Sequence, residues 1–377
     1  MPLGIYVHLA FCPYICPYCD FAKWPYRESS ARRYLDALVA EIEREAPQPA
    51  ATIFLGGGTP NTHDAPTLAA LIERLRARFG PPGGGTTEIT IELNPELVGP
   101  GDCETYRRAG VSRVSIGAQS FDAGEVRMLG RRHSAAEVDR AVRHARDAGI
   151  GSVSLDLIFA VPGQTPRSWR ASLEHAIALD VDHISTYGLT VEAGTPYAAL
   201  QEREPNRFLD DDAEAELYGI AIDSLGAAGY EQYEISNFAR PGHRCAHNEN
   251  YWDNGEYLGF GVGAASYRGG ERSVHTRVLD EYVEAALSGA PIPGESERLE
   301  GERRAGEAIM LALRTAQGVR PRLFKERYGI DVFERYGPVI AEYARAGLLE
   351  NGEDAVRLTR RGRFLANDVC GAFLSFA

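Results

Sequence analysis

Three of the six cysteines fall within eight residues, at Cys12, Cys16 and Cys19, in the spacing C-x3-C-x2-C. They follow directly on the β-like run Gly4–Leu9. Thiolates this close converge on one point only if the backbone curls around it. Pro13 and Pro17 favour that curl, because each fixes φ and removes an amide donor. Three readings compete. Cysteine is a common core residue, so the three could simply be buried. Structural zinc wants four ligands, usually as two close pairs, and no second close pair exists. His8 is a conceivable fourth ligand, but in a strand leading into the loop it is better placed to pack. Cubane iron–sulfur clusters take four cysteines. Three would leave one iron without a protein ligand, open to a chelating small molecule, and the spacing favours this last reading: a 4Fe-4S cluster on Cys12, Cys16 and Cys19.

Such a loop needs a frame. From residue 1 to about 230 the sequence alternates short apolar runs with amphipathic ones. Strands are expected at Gly4–Leu9, Thr52–Leu55, Glu88–Leu93, Arg113–Gly117, Ser152–Phe159 and His183–Thr190. Helical stretches lie between them, several ending at or just before a glycine such as Gly80, Gly110 or Gly149. Six strand–helix units imply a parallel sheet with right-handed crossovers. They are too few for a closed eight-unit barrel, so the expected α/β fold is an open, partial (β/α)6 barrel. Ligands should then sit at the C-terminal ends of the strands.

Polar residues collect at those ends. Gly56-Gly57-Gly58-Thr59-Pro60 follows the second strand, where glycines let backbone amides approach a ligand; a plain turn is the alternative, and Gly83–Gly85 reads as one. Glu92 interrupts an apolar run and needs a partner if buried, unless it only caps the next turn. Gln119 ends the fourth strand and Arg131 follows in Leu129-Gly130-Arg131-Arg132-His133. Asp156, inside Ser154-Leu155-Asp156-Leu157-Ile158-Phe159, calls for a partner such as Arg131 or a ligand hydroxyl. Together these residues describe one polar site.

The segments Y-V-H-L-A-F-C-P-Y-I-C-P-Y-C-D-F, F-L-G-G-G-T-P, I-E-L-N-P, S-I-G-A-Q-S-F, L-G-R-R-H and D-L-I-F-A-V-P-G-Q-T resemble the radical S-adenosylmethionine (SAM) superfamily. Within it they resemble the branch holding oxygen-independent coproporphyrinogen III oxidase and its paralogues, the HemW-type heme chaperones. In that superfamily the open iron binds the amino and carboxylate groups of SAM, and an electron from the cluster cleaves the sulfonium to a 5'-deoxyadenosyl radical. Motif positions imply SAM contacts at Tyr6, Gly57, Gly58, Thr59, Glu92, Gln119, Arg131 and Asp156, with Tyr18 near the adenine. The segment His247-Asn248-Glu249-Asn250-Tyr251-Trp252 matches the H-N-x-x-Y-W stretch proposed to bind heme in HemW-type proteins, which implies heme binding at His247. Read from the residues alone, a histidine beside aromatics is a packed core residue.

The resemblance implies a heme chaperone rather than the oxidase or a related radical SAM methyltransferase or cyclopropane-forming enzyme. Oxidases of this branch carry a further cysteine two places after the third ligand, where this chain has Asp20-Phe21, and extend further before the position of Tyr6. The implied partners are heme, a heme-acceptor protein (respiratory membrane proteins being the expected class), a reductant protein and a second copy in a dimer. No catalytic residue is assigned, and SAM and the cluster are read as a conformational or redox gate.

Residues 1–230 are expected to form the barrel, 231–287 an extension carrying the heme segment, and 288–377 a small C-terminal domain. That last part reads as helices followed by a two-stranded wing, a winged-helix-like pattern, and as a lid or docking domain over the barrel mouth. Residues 229–238 read as one further strand. A net charge of −13 argues against bulk nucleic-acid binding, which needs a basic footprint. Scattered Cys103, Cys245 and Cys370 suit a reducing compartment. With no span-length apolar run and no signal-like start, the expectation is a cytoplasmic protein that meets a membrane only through an acceptor.

Overall fold

The computed structural model describes residues 3–81 and 85–374, so Gly83 and Gly84 of the expected glycine turn lie outside the described residues. Six parallel strands form the frame: β1 (Gly4–Leu9), β2 (Thr52–Gly57), β3 (Glu88–Leu93), β4 (Arg113–Gln119), β5 (Ser152–Phe159) and β6 (His183–Gly188). Side chains alternate between the faces of a strand, and here the alternation is inverted relative to a packed barrel. Ile5, Val7 and Leu9 of β1, Ile91 of β3, Val114 and Ile116 of β4, and Leu155 and Leu157 of β5 are fully buried in the main apolar core. Their alternates Thr90 and Glu92, Ser115 and Gly117, Ser154 and Asp156, and His183 and Ser185 line an internal cavity. A closed eight-stranded barrel fills its interior with branched apolar residues. This one sets polar side chains from most of its strands into the interior, beside apolar ones such as Phe54 and Ile158.

Helices cover the apolar outer face. α1 (Glu28–Arg44) buries Ala31, Tyr34, Leu38 and Ile42, and α2 (Ala65–Phe79) buries Leu68, Leu71, Ile72, Leu75 and Phe79. The i, i+3, i+4 spacing of these residues is what makes one apolar stripe per helix. The side chain of Asp64 accepts from Thr67 N at the start of α2, and Thr165 caps α3 (Pro166–Ala178) through Ser168 in a reciprocal capping box.

Twelve strands of the described residues form one sheet. Beyond β6 the chain adds β7 (Glu231–Gln232) and β8 (Asn237–Ala239), both antiparallel, where the sequence pattern suggests a single strand. Nothing in the alternation marks the reversal. It arises because the intervening residues turn away to meet the C-terminal domain: Ile235 N donates to Arg314 O at 3.1 Å and Ala316 N to Tyr233 O at 2.9 Å. On the other edge, β9 (Tyr257–Phe260) runs parallel beside β1, followed by antiparallel β10 (Ala265–Arg268), β11 (Glu271–His275) and β12 (Gly294–Arg298).

A second apolar core, around Ile309, Leu313, Phe324, Tyr336, Val339 and Val369, holds the C-terminal helices and the hairpin Leu349–Asn351/Val356–Leu358. Two helices follow the hairpin, Arg360–Phe364 and Ala366–Ala372, broken at Leu365. The expectation of a lid over the barrel mouth is not met. The domain packs where the strands begin: Arg327 donates to Asp253 O and Asn254 O, and Arg272 pairs with Glu307 at 2.7 Å. Its anchors, Tyr233 and residues 253–254, belong to segments at the barrel floor, as Tyr233 OH meets His183, the first residue of β6, at 2.9 Å.

Neighbours on β5 separate the two faces experimentally. Leu155→Ala should cost roughly 2–5 kcal/mol in urea unfolding. Asp156→Asn, one residue on, should leave stability unchanged or raise it, because it removes a carboxylate from a desolvated interior.

Candidate functional site

Cys12 ends a two-residue strand, Phe11–Cys12, that pairs in parallel with Trp24–Pro25, so the intervening loop must fold back on itself. Trp24 N donates to Ala10 O and Tyr26 N to Cys12 O, both at 2.8 Å, and Cys19 N donates to Cys16 O at 3.3 Å. All three thiols are unpaired; Cys12 and Cys16 are buried and Cys19 is half-buried. Burial pushes the Cys12 thiol up to about 11, against a hydrogen bond from the Thr59 side chain, and burial raises Cys19 as well. Iron would displace these protons, as metal binding to thiols does. Among the described residues no three His, Cys, Asp or Glu side chains converge as ligands of one metal ion. In a cubane each thiolate would take a different iron, so the three need not converge on one ion. His8 is not available: Nδ1 meets Tyr6 OH at 3.0 Å and Nε2 meets Ala22 O at 2.6 Å.

The glycine segment wraps the loop's base. Gly58 N donates to Leu9 O and Thr59 N to Phe11 O, and a β-carbon on Gly58 would stand 2.7 Å from Leu9 O. Gly57 has φ +105°, and its N–H donates to Glu92 Oε2 at 3.2 Å. Burial, reinforced by Asp156, raises the Glu92 carboxyl to about 8, and the Gly57 N–H opposes the shift. Asp156 is raised too, by burial, with hydrogen bonds from Ser185 and Ser115 opposing. Ser115 Oγ lies 2.9 and 3.0 Å from its two oxygens. These serines, rather than Arg131, are the direct partners of Asp156, because adjacent strands place them alongside it. Arg131 Nη2 instead donates to Asn94 Oδ1 at 2.7 Å and Gly117 O at 3.0 Å, and its buried Nε has no hydrogen-bond partner among the described residues. Gln119 ends β4 at φ +60°, where the ladder with β5 shifts register. A non-glycine residue held there stores strain, and its side chain lines the cavity.

His247 lies at the other end. It belongs to α4 (Ala246–Trp252) and faces the first residues of the strands. Its backbone N–H donates to Glu88 Oε1 at 3.2 Å, Nδ1 meets Thr52 Oγ1 at 2.8 Å and Nε2 meets Tyr251 OH at 2.9 Å. The ring stacks on Phe54 at 5.1 Å, and burial lowers its pKa to about 3. Gly57 and Thr52 are the last and first residues of β2, so His247 stands about 16 Å from the cluster end. All thirteen residues singled out from the sequence nonetheless line one cavity of about 670 Å³. Sequence reasoning missed its lower wall, including Thr90, Arg113, Ser154 and His183, although the polar half of the strand alternation pointed to them.

Residues 6–176 match the family model for the radical SAM superfamily and 299–365 that for the HemN C-terminal domain. The chain is 36% identical to the heme chaperone HemW of Bacillus subtilis over 374 residues, covering 98% of each. It is 37% identical to that of Mycobacterium tuberculosis (strain ATCC 25618 / H37Rv), covering 99% of this chain and 95% of the relative. The chain belongs to the HemW family of radical SAM proteins. The solved structure of coproporphyrinogen III oxidase (HemN) from Escherichia coli shares the fold, with a TM-score of 0.86 at 24% identity over 100% of this chain and 91% of that one. As in the sequence expectation, no described helix of this HemW-family member is long and apolar enough to cross a membrane.

The raised Glu92 carboxyl sets a pH dependence. Its folded pKa, about 8, exceeds the ordinary 4.5. The folded state therefore holds a proton that the unfolded state has lost, and the resulting stability is full below about pH 4.5 and disappears as pH rises towards 8. The melting temperature of the cluster-free protein should fall between pH 5 and 8, and Glu92→Gln should flatten that slope. An equal slope in the variant would show that Glu92 is ionised throughout.

Proposed function

We propose that this chain is a heme chaperone that binds heme, a 4Fe-4S cluster and SAM and transfers heme to an acceptor protein. Full-length likeness to proteins named heme chaperone HemW is the observation that carries the reading. Cys12, Cys16 and Cys19 would hold the cluster, which when bound supplies an electron and an open iron for SAM.

The remaining roles follow from charge and shape. SAM carries a sulfonium and an ammonium, and Glu92 and Asp156 offer two carboxyls whose protonated forms are favoured by burial, with Asp156 adding to the effect at Glu92. A cation entering beside them would favour their ionised forms. Tyr6, Gly57, Gly58, Thr59, Gln119 and Arg131 would complete the SAM contacts, with Arg131 aimed at the ligand carboxylate and Tyr18 near the adenine. His247 would ligate heme at the floor. A reductant protein, a heme acceptor and a dimeric state belong to the same reading, as does the division into a barrel (1–230), an extension with the heme segment (231–287) and a C-terminal domain (288–377).

Anaerobic reconstitution with iron and sulfide, followed by heme titration, tests it. Wild type should take up one heme, His247→Ala should bind it more weakly with a changed Soret band, and removing all three loop cysteines should abolish cluster absorbance. Coproporphyrinogen III with SAM and reductant should give no vinyl product. Steady conversion of that substrate without heme binding would instead make this an oxidase.

A further inference from the structure

Within the segment expected to meet heme, His247 itself is closed off. His247 is 1% exposed, and both of its ring nitrogens are engaged. Iron can bind only a nitrogen whose lone pair is free, so one of these bonds must break first. The two partners differ in kind. Thr52, itself 3% exposed, is fixed in β2 between β1 and β3, and cannot leave without disturbing the sheet. Tyr251 is half-buried on a seven-residue helix, one turn from His247, and among the described residues its hydroxyl bonds to Nε2 alone. Its ring rests edge-on against Tyr257 at 4.6 Å and against His247 at 4.8 Å, contacts that a rotation can exchange. Gly4 is what lets this helix press so close to the floor: a β-carbon there would meet Asn250 Nδ2 at 3.1 Å, Thr52 Oγ1 at 3.2 Å and His247 Cε1 at 3.3 Å.

We propose that Tyr251 is a latch on His247 and that Thr52 is its positioning residue. Thr52 accepts the Nδ1 proton and so leaves the lone pair on Nε2, as outer-shell partners of histidine ligands do. The Tyr251 hydroxyl donates to that lone pair and keeps it from iron until incoming heme displaces it. The proposal rests on the heme reading above.

Stopped-flow heme uptake and ferric-heme EPR on the reconstituted full chain test it, with wild type, Tyr251→Phe, Tyr251→Leu, Thr52→Val and His247→Ala. Losing one neutral hydrogen bond of the closed state should speed uptake by about fivefold in Tyr251→Phe. The ferric spectrum should be retained, because the ligand is unchanged. Tyr251→Leu, also lacking the hydroxyl, should show the same direction and covers the case of a misfolded phenylalanine variant. Thr52→Val should shift the EPR g-values and weaken binding. If His247→Ala loses the wild-type spectrum while both Tyr251 variants take up heme at the wild-type rate, the latch is overturned and the heme reading stands. If wild type binds no heme, or His247→Ala keeps its spectrum, the ligand reading fails and the latch fails with it.

Discussion

The structure depends on which face of each barrel strand is apolar. Outward isoleucines, valines and leucines bind the helices to the sheet, and burial of that area is the main stabilising term. The inward positions can then be polar without loss of cohesion. Carboxyls in that interior carry a cost, because burial raises both Glu92 and Asp156, and Asp156 raises Glu92 further. The serines on neighbouring strands and the Gly57 N–H soften that cost without cancelling it. Burial thus favours the protonated forms of both carboxyls, which a bound cation would reverse.

That constraint also divides the barrel into two ends with different chemistry. Where the strands finish, the backbone breaks into the cysteine loop, the glycine segment and the strained Gln119, all places where main chain can approach a ligand closely. Where the strands start, the floor is closed by α4 and by the C-terminal domain, tied on through the Tyr233–Ile235 segment and Arg327. Position at the floor leaves the cluster mouth free of this domain.

The six strands are readable because each carries its apolar half in strict alternation. The cluster ligands are readable because three cysteines within eight residues serve few purposes besides holding metal. Less legible are features set by tertiary contact. The turn between Tyr233 and Ser236 contains no glycine or proline, and tertiary bonds, among them those to Arg314, Ala316 and Tyr218, hold it bent. Motif order brings Arg131 to mind as the partner of Asp156, whereas Ser115 and Ser185 are the residues close to it across the sheet. Thr90, Arg113 and His183 look like ordinary strand beginnings. Only the inverted alternation, taken over all six strands at once, assigns them to the cavity.

A chaperone that keeps a SAM site has to connect two ends about 16 Å apart. Direct contact between ligands is not needed if one wall touches both. Tyr6, beside the glycine segment's strand, stacks on Phe54 at 6.3 Å, and Phe54 stacks on His247 at 5.1 Å. Phe54 lies on β2 midway between Thr52, which holds His247, and Gly57, which holds Glu92. A ligand that shifts Tyr6 or draws Glu92 away from Gly57 therefore acts on the strand that fixes the imidazole. Coupling through that strand is reciprocal by linkage, so heme at the floor would alter the affinity of the mouth by the same factor. On this geometry a SAM site at the mouth would reach the floor through a shared strand.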